Sequence, residues 1–173
     1  MTPTKKLPLF IISGASGVGK STLCKELFRR ESRYIVLESD ILWNDIYNTP
    51  EDDYRAYRRV QLRLCANIAQ AGLPVALCGC AVPKQFESLP ERKLFTQIHY
   101  LAVVSDDDAL EQKLKKGRGI HDKAWIASSL DFNRWLKENG EANGMVPLNN
   151  TYLTPQEGAQ AADEWICGML AEQ

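Results

Sequence analysis

The sequence carries almost no net charge, little histidine and no long apolar run, and each shortage removes a class of function. Lys and Arg number 21 against 22 Asp and Glu, for a net charge of -1. That argues against a polybasic nucleic-acid binder and against an acidic tail protein. The two histidines, His99 and His121, are too few and too isolated for a zinc site. No window approaches the roughly 18 apolar residues of a membrane span. The apolar stretch 7–12 behind Lys5 and Lys6 is six residues long and contains a proline. A secretory core needs about 7–15 apolar residues, so a cytoplasmic protein without membrane contact is expected. The five cysteines, Cys24, Cys65, Cys78, Cys80 and Cys167, are odd in number and include no CxxC pair. Cys78-Gly79-Cys80 alone is a weak redox or metal signal, and reduced, small, mostly buried thiols are the expectation.

What remains is an ordinary globular composition, 45% hydrophobic and 25% charged, in 173 residues. That length is enough for one domain, 1–173, with a core that needs no metal or disulfide. There is no repeat and no linker. Apolar runs alternate with amphipathic stretches, which predicts parallel strands joined by crossover helices. Strands are expected at 7–13, 34–38, 75–79, 98–104 and 145–148. Helices are expected at 21–30, 52–71, 107–116, 124–137 and 155–170. Leu23, Leu27 and Phe28 mark the inner face of the first helix. Tyr57, Leu62, Leu64, Ile68 and Ala69 mark that of the second. Thr154 is the expected N-cap of the last helix, with Pro155 at its first position. Right-handed crossovers would wrap these elements into an α/β fold, a three-layer α/β/α sandwich around a five-stranded parallel sheet.

One motif carries chemistry. Gly14-Ala15-Ser16-Gly17-Val18-Gly19-Lys20-Ser21 fits the P-loop pattern G-x-x-x-x-G-K-[ST], and Thr22 continues it into the helix. Glycines let backbone N–H groups close on phosphate oxygens, and the helix behind presents its positive dipole end. Lys20 adds a cation for the β- and γ-phosphates, and the Ser21 hydroxyl is placed for magnesium. ATP and Mg2+ are therefore the expected cofactors. No N-K-x-D element for guanine follows, and the third strand ends without the acid of a motor ATPase. The acids come instead from Glu38-Ser39-Asp40, at the end of the second strand. Two residues apart on an extended segment, they would share a face beside the P-loop. Asp40 is a candidate to take the proton of an attacking hydroxyl, and Glu38 to hold a magnesium-bound water.

With the P-loop, this acid-x-acid element and its size, the chain resembles the small P-loop kinases. That group holds adenylate kinase-like nucleoside and nucleotide kinases, shikimate and gluconate kinases, and chloramphenicol phosphotransferase. From Glu38-Ser39-Asp40-Ile41-Leu42 to the segment 132–139 it is similar to bacterial proteins labelled AAA-family ATPase or nucleotide kinase. The resemblance implies the P-loop NTPase fold, strand order 2-3-1-4-5, and a short mobile lid at about 113–124. It also implies that a lid cation, Arg118, covers the transferring phosphoryl group, with Arg134 as a second cation. This lid holds essentially one arginine, fewer than nucleotide kinases tend to carry.

Acceptor recognition is expected from 41–63. Trp43 and Tyr47 could stack on a ring, and Arg55, Arg58 and Arg59 could grip an anionic group. The expected activity is ATP-dependent phosphoryl transfer to a small molecule, foremost a nucleoside or nucleotide. A hydroxylated metabolite or antibiotic is the alternative acceptor, since a carboxylate there suits a neutral hydroxyl. A nucleotide-binding or regulatory P-loop protein without a dedicated acceptor is the alternative of a different class. The expected assembly is a monomer or homodimer.

Overall fold

A computed structural model of the chain describes residues 6–30 and 33–172. Five parallel strands, β1 (Leu9–Gly14), β2 (Ile35–Glu38), β3 (Val75–Gly79), β4 (Ile98–Val104) and β5 (Met145–Asn149), form one sheet in the order β2-β3-β1-β4-β5. The middle strand β1 is buried along its whole length, as a strand covered on both faces must be. Its register sets Ile12 beside Cys78 of β3 and Leu101 of β4.

Strand alternation divides the core in two. Phe10, Ile12, Ala76, Cys78, Leu101 and Val103 face a layer built on α1 (Lys20–Phe28) and α6 (Pro155–Ala171). Leu9, Ile11, Val75, Leu77, Tyr100 and Ala102 face α2 (Arg55–Ala69) and Phe86 of the short α3 (Lys84–Glu87). After β4 come α4 (Asp107–Gln112) and α5 (Lys123–Asn139). Ile126 of α5 joins the first cluster and Leu136 the second. Buried Asn133 of α5 ties the end of β4: its Oδ1 accepts from Ser105 N–H at 3.1 Å, and its Nδ2 donates to Ser105 O at 2.8 Å. The architecture is thus the expected three-layer α/β/α sandwich, with the expected strand order.

Several local expectations need correction. The second helix starts at Arg55 rather than 52, because Asp53 and Tyr54 hold left-handed backbone, with φ of 58° and 59°. Its buried positions are Tyr57, Arg58, Gln61, Leu62 and Cys65, whereas Leu64, Ile68 and Ala69 are only half-buried. Phe28, the last residue of α1, is 75% exposed, and the buried face of that helix is Leu23, Cys24 and Leu27. The helix after β4 ends at Gln112 and continues as a π-helical turn, Lys113–Gly117. The cysteines are not all reduced: Cys24 of α1 and Cys78 of β3 are joined by a disulfide, 54 residues apart in sequence. Cys65, Cys80 and Cys167 are free thiols.

The last helix follows expectation at its start. Thr154 accepts from Glu157 N–H at 3.2 Å, and Glu157 accepts from Thr154 N–H at 2.8 Å, a complete capping box. Thr154→Ala is expected to cost about 1 kcal/mol, read as a lower urea midpoint with an unchanged slope.

Candidate active site

The P-loop connects the buried end of β1 to α1, and its backbone explains its glycines. Gly17 and Gly19 have φ of 84° and 107°, a region that side chains rarely enter. At Gly14 a Cβ would lie 2.6 Å from the Val103 carbonyl, so only glycine lets β1 pass so close to β4 there. Lys20 folds over this loop and donates to Ala15 O at 2.7 Å. Ser13, at the end of β1, pins the neighbouring loop: its hydroxyl accepts from Ala81 N–H at 3.0 Å and donates to Ala81 O at 2.5 Å. The Cys80 thiol donates to Gly14 O at 3.1 Å.

A cleft of about 890 Å³ opens over the P-loop. Ser16, Gly17, Gly19, Lys20, Ser21 and Thr22 form its floor, with Asp40, Trp43 and Cys80 at one end. Lys113, Gly117, Arg118 and Trp125, from and just beyond the segment expected to form a lid, line another side, and Asn150, Leu153, Pro155 and Gly158 close the other end. Ala15 and Val18 are fully buried and support the loop from beneath. That segment meets the P-loop through Leu114, packed against Gly17, and through the Ser16 hydroxyl: Arg118 Nη1 donates to Ser16 Oγ at 2.8 Å, and Trp125 Nε1 reaches the same oxygen at 3.4 Å. Asn150 donates to Val18 O at 3.0 Å, fixing the loop after β5 against the P-loop.

Of the predicted residues, the structure gathers Lys20, Ser21, Asp40, Trp43 and Arg118 on this one cleft. Asp40 reaches it through a 3-10 turn, Ser39–Leu42, which ends the strand alternation after Glu38. Glu38 and Asp40 therefore do not share a face as expected: Glu38 is exposed at the end of β2 and does not line the cleft. Tyr57 holds this turn by donating to Ser39 O at 2.7 Å, and its ring packs on Trp43 at 5.2 Å and Tyr47 at 5.4 Å. Tyr47 is thereby part of the support for Trp43. Gly79 is needed here as well, because a Cβ on it would run into the Ser39 side chain.

The other cations are placed differently. Arg134 bonds Asp107 at 2.5 Å and Asp131 at 3.4 Å, so it links α4 to α5 and lies outside the cleft. Asp107 has a lowered pKa: burial opposes the shift, and the Arg134 hydrogen bond and the charge of Lys137 outweigh it. Arg55 is exposed on the first turn of α2, and Arg59 turns to Glu91 on the far side of that helix. Three arginines within five residues cannot all face one way on a helix, and only Arg58 turns inward. It is 5% exposed, donates to Cys80 O at 2.7 Å and to Gln61 at 3.1 Å, and lies under the rings of Tyr54, Tyr57 and Phe86. Burial lowers its pKa. Trp125, Cys80 and the Asn150–Pro155 side were not predicted as site residues. The only available sequence signals were a tryptophan one turn past the lid and the CxC spacing.

The donors present fit a nucleotide triphosphate and its metal: glycine-rich backbone at a helix start, one lysine, and a hydroxyl at Ser21. Among the described residues no group of three or more His, Cys, Asp or Glu side chains could hold a metal ion. No described helix is long and apolar enough to cross a membrane.

Residues 9–78 match a family model described as an AAA domain. No curated protein matches the sequence. Solved structures are similar over nearly the full chain. A sugar kinase from a Janibacter species aligns with a TM-score of 0.69 at 17% identity, covering 94% of this chain and 95% of that one. A gluconokinase from Sinorhizobium meliloti gives 0.69 at 15%, covering 97% of both. A shikimate kinase from Acinetobacter baumannii, solved with shikimate, gives 0.59 at 12%, covering 96% of both. The chain therefore has the fold of the small P-loop kinases, with its AAA-domain match confined to the stretch from β1 through β3.

Proposed function

We propose that the protein transfers the γ-phosphoryl group of Mg-ATP to a hydroxyl of a small acceptor. The observation that carries this reading is the placement of Asp40 on the same cleft as Lys20, Ser21 and Arg118. The acceptor would sit between Asp40, Trp43 and Cys80. Its hydroxyl oxygen attacks the γ-phosphorus, the bond to the β–γ bridging oxygen breaks to leave ADP, and the hydroxyl proton passes to the Asp40 carboxylate. Lys20 and Arg118 neutralise the charge on the moving group, and Ser21 is the residue that would hold magnesium.

Of the acceptors considered, a hydroxylated sugar or hydroxy acid is favoured over a nucleotide. One lid arginine lines the cleft, where a second phosphorylated substrate would call for more cation. A carboxylate at the acceptor end repels an anionic phosphate and suits a neutral hydroxyl. The similar structures named as sugar kinase, gluconokinase and shikimate kinase point the same way.

The test is ADP release from ATP across a panel of sugars, hydroxy acids, nucleosides and nucleotides. Stimulation by a sugar or hydroxy acid is expected. Stimulation by nucleosides or nucleotides alone would overturn the acceptor class. ATP binding without stimulation by any acceptor would leave the regulatory nucleotide-binding reading in its place.

A further inference from the structure

A second cleft, of about 450 Å³, lies on the outer face of α2, against the turn Pro90–Leu94. Its centre is Glu91, whose side chain is only 5% exposed. One oxygen of that carboxylate takes Arg59 Nε at 2.9 Å, Arg59 Nη2 at 2.8 Å and Arg63 Nε at 3.2 Å. The Arg59 hydrogen bond is the main cause that holds the Glu91 carboxyl down at about 2, so it is ionised at neutral pH.

The consequence lies in how the arginines are turned. Glu91 takes Arg63 Nε and both Nε and Nη2 of Arg59 on one oxygen, and its other oxygen is buried without a hydrogen-bond partner among the described residues. Arg59, Arg63 and Lys93 all line the same opening. Three cations against one carboxylate leave two positive charges in excess. Arginines already oriented by a buried carboxylate lose less rotamer freedom on binding an anion. Below them, Ala66 and Leu94 offer a small apolar floor. The site is separate from the P-loop cleft: no residue lines both.

We propose that this cleft binds a dianionic phosphate group, as inorganic phosphate or as a small phosphomonoester, on Arg59, Arg63 and Lys93. The excess of two charges matches a dianion, and the forked Nη groups match phosphate oxygens. A concave opening of this size suits a small molecule better than a flat macromolecular partner.

The test uses the full chain carrying Lys20→Ala, so that the P-loop contributes little, and calorimetric titration with inorganic phosphate and with glycerol 3-phosphate. Saturable binding is expected. It should weaken by about tenfold or more when Arg63→Gln and Lys93→Gln are added, since each removes a charged hydrogen bond. Both side chains are exposed, and an unchanged melting temperature will show that the fold is intact. Tighter binding of glycerol 3-phosphate would assign an organic ester resting on Ala66 and Leu94, and equal binding would assign inorganic phosphate; either supports the site. Absence of saturable binding, or binding that the double substitution leaves unchanged, overturns it. Because Arg63 and Lys93 line only this cleft and not the P-loop cleft, the effect of the double substitution does not depend on the kinase reading.

Discussion

Lys20→Ala is expected to lower ADP release by about 10³-fold or more, the scale on which fixed cations act at a transferring phosphoryl group. Lys20 is the one full cation on the P-loop itself, and its ammonium already rests on the loop, 2.7 Å from the Ala15 carbonyl. The substitution removes charge without opening the core, because the residue is only partly buried. Thermal unfolding should therefore move little while turnover collapses. A coupled assay for ADP, beside a melting curve, separates the two. Turnover within about tenfold of the parent protein would mean that phosphate charge is met elsewhere and would remove the P-loop from the proposed chemistry.

Asp40→Asn is expected to lower acceptor-dependent turnover by about 10²-fold or more, the ordinary contribution of a positioned base. ATP affinity should stay near that of the parent, because the role proposed for Asp40 is toward the acceptor, while the P-loop and Lys20 are left intact. Asparagine keeps the size of the side chain, so the 3-10 turn and the Tyr57 hydrogen bond to Ser39 should persist. The readout is kcat for phosphoryl transfer with the acceptor found in the panel, together with ATP affinity by calorimetry. An unchanged kcat would sink the role of Asp40 as base.

The layers and the P-loop were legible in the sequence because they rest on periodicity and on one dense motif, while the strand order came only with the family resemblance. Strands 75–79 and 98–104 fall where the apolar runs predict, since a strand buried on both faces has nothing polar to blur its ends. Thr154 and Pro155 were equally plain, because capping is local chemistry. The misreadings came from contacts that sequence spacing does not record. Arg134 has the composition of a lid cation, yet Asp107, 27 residues away, takes it. Arg59 looked like an acceptor grip and is held by Glu91, 32 residues on. Glu38 and Asp40 were assigned one face on the assumption that the strand continued, and a turn begins at Ser39. Trp125 carries no motif in the sequence, and only the fold shows it 51% exposed and lining the cleft.

Arg118 and Trp125 meet on the Ser16 hydroxyl, whose two lone pairs can take both donors. Arg118 uses one of its five N–H donors there, which leaves the rest of its fork for another acceptor. In the proposed reaction Ser16 would therefore hold the guanidinium beside the P-loop while its remaining N–H groups meet the moving phosphoryl group. A serine inside the phosphate loop would thus serve as the anchor that orients the cation, with Trp125 sharing the same oxygen.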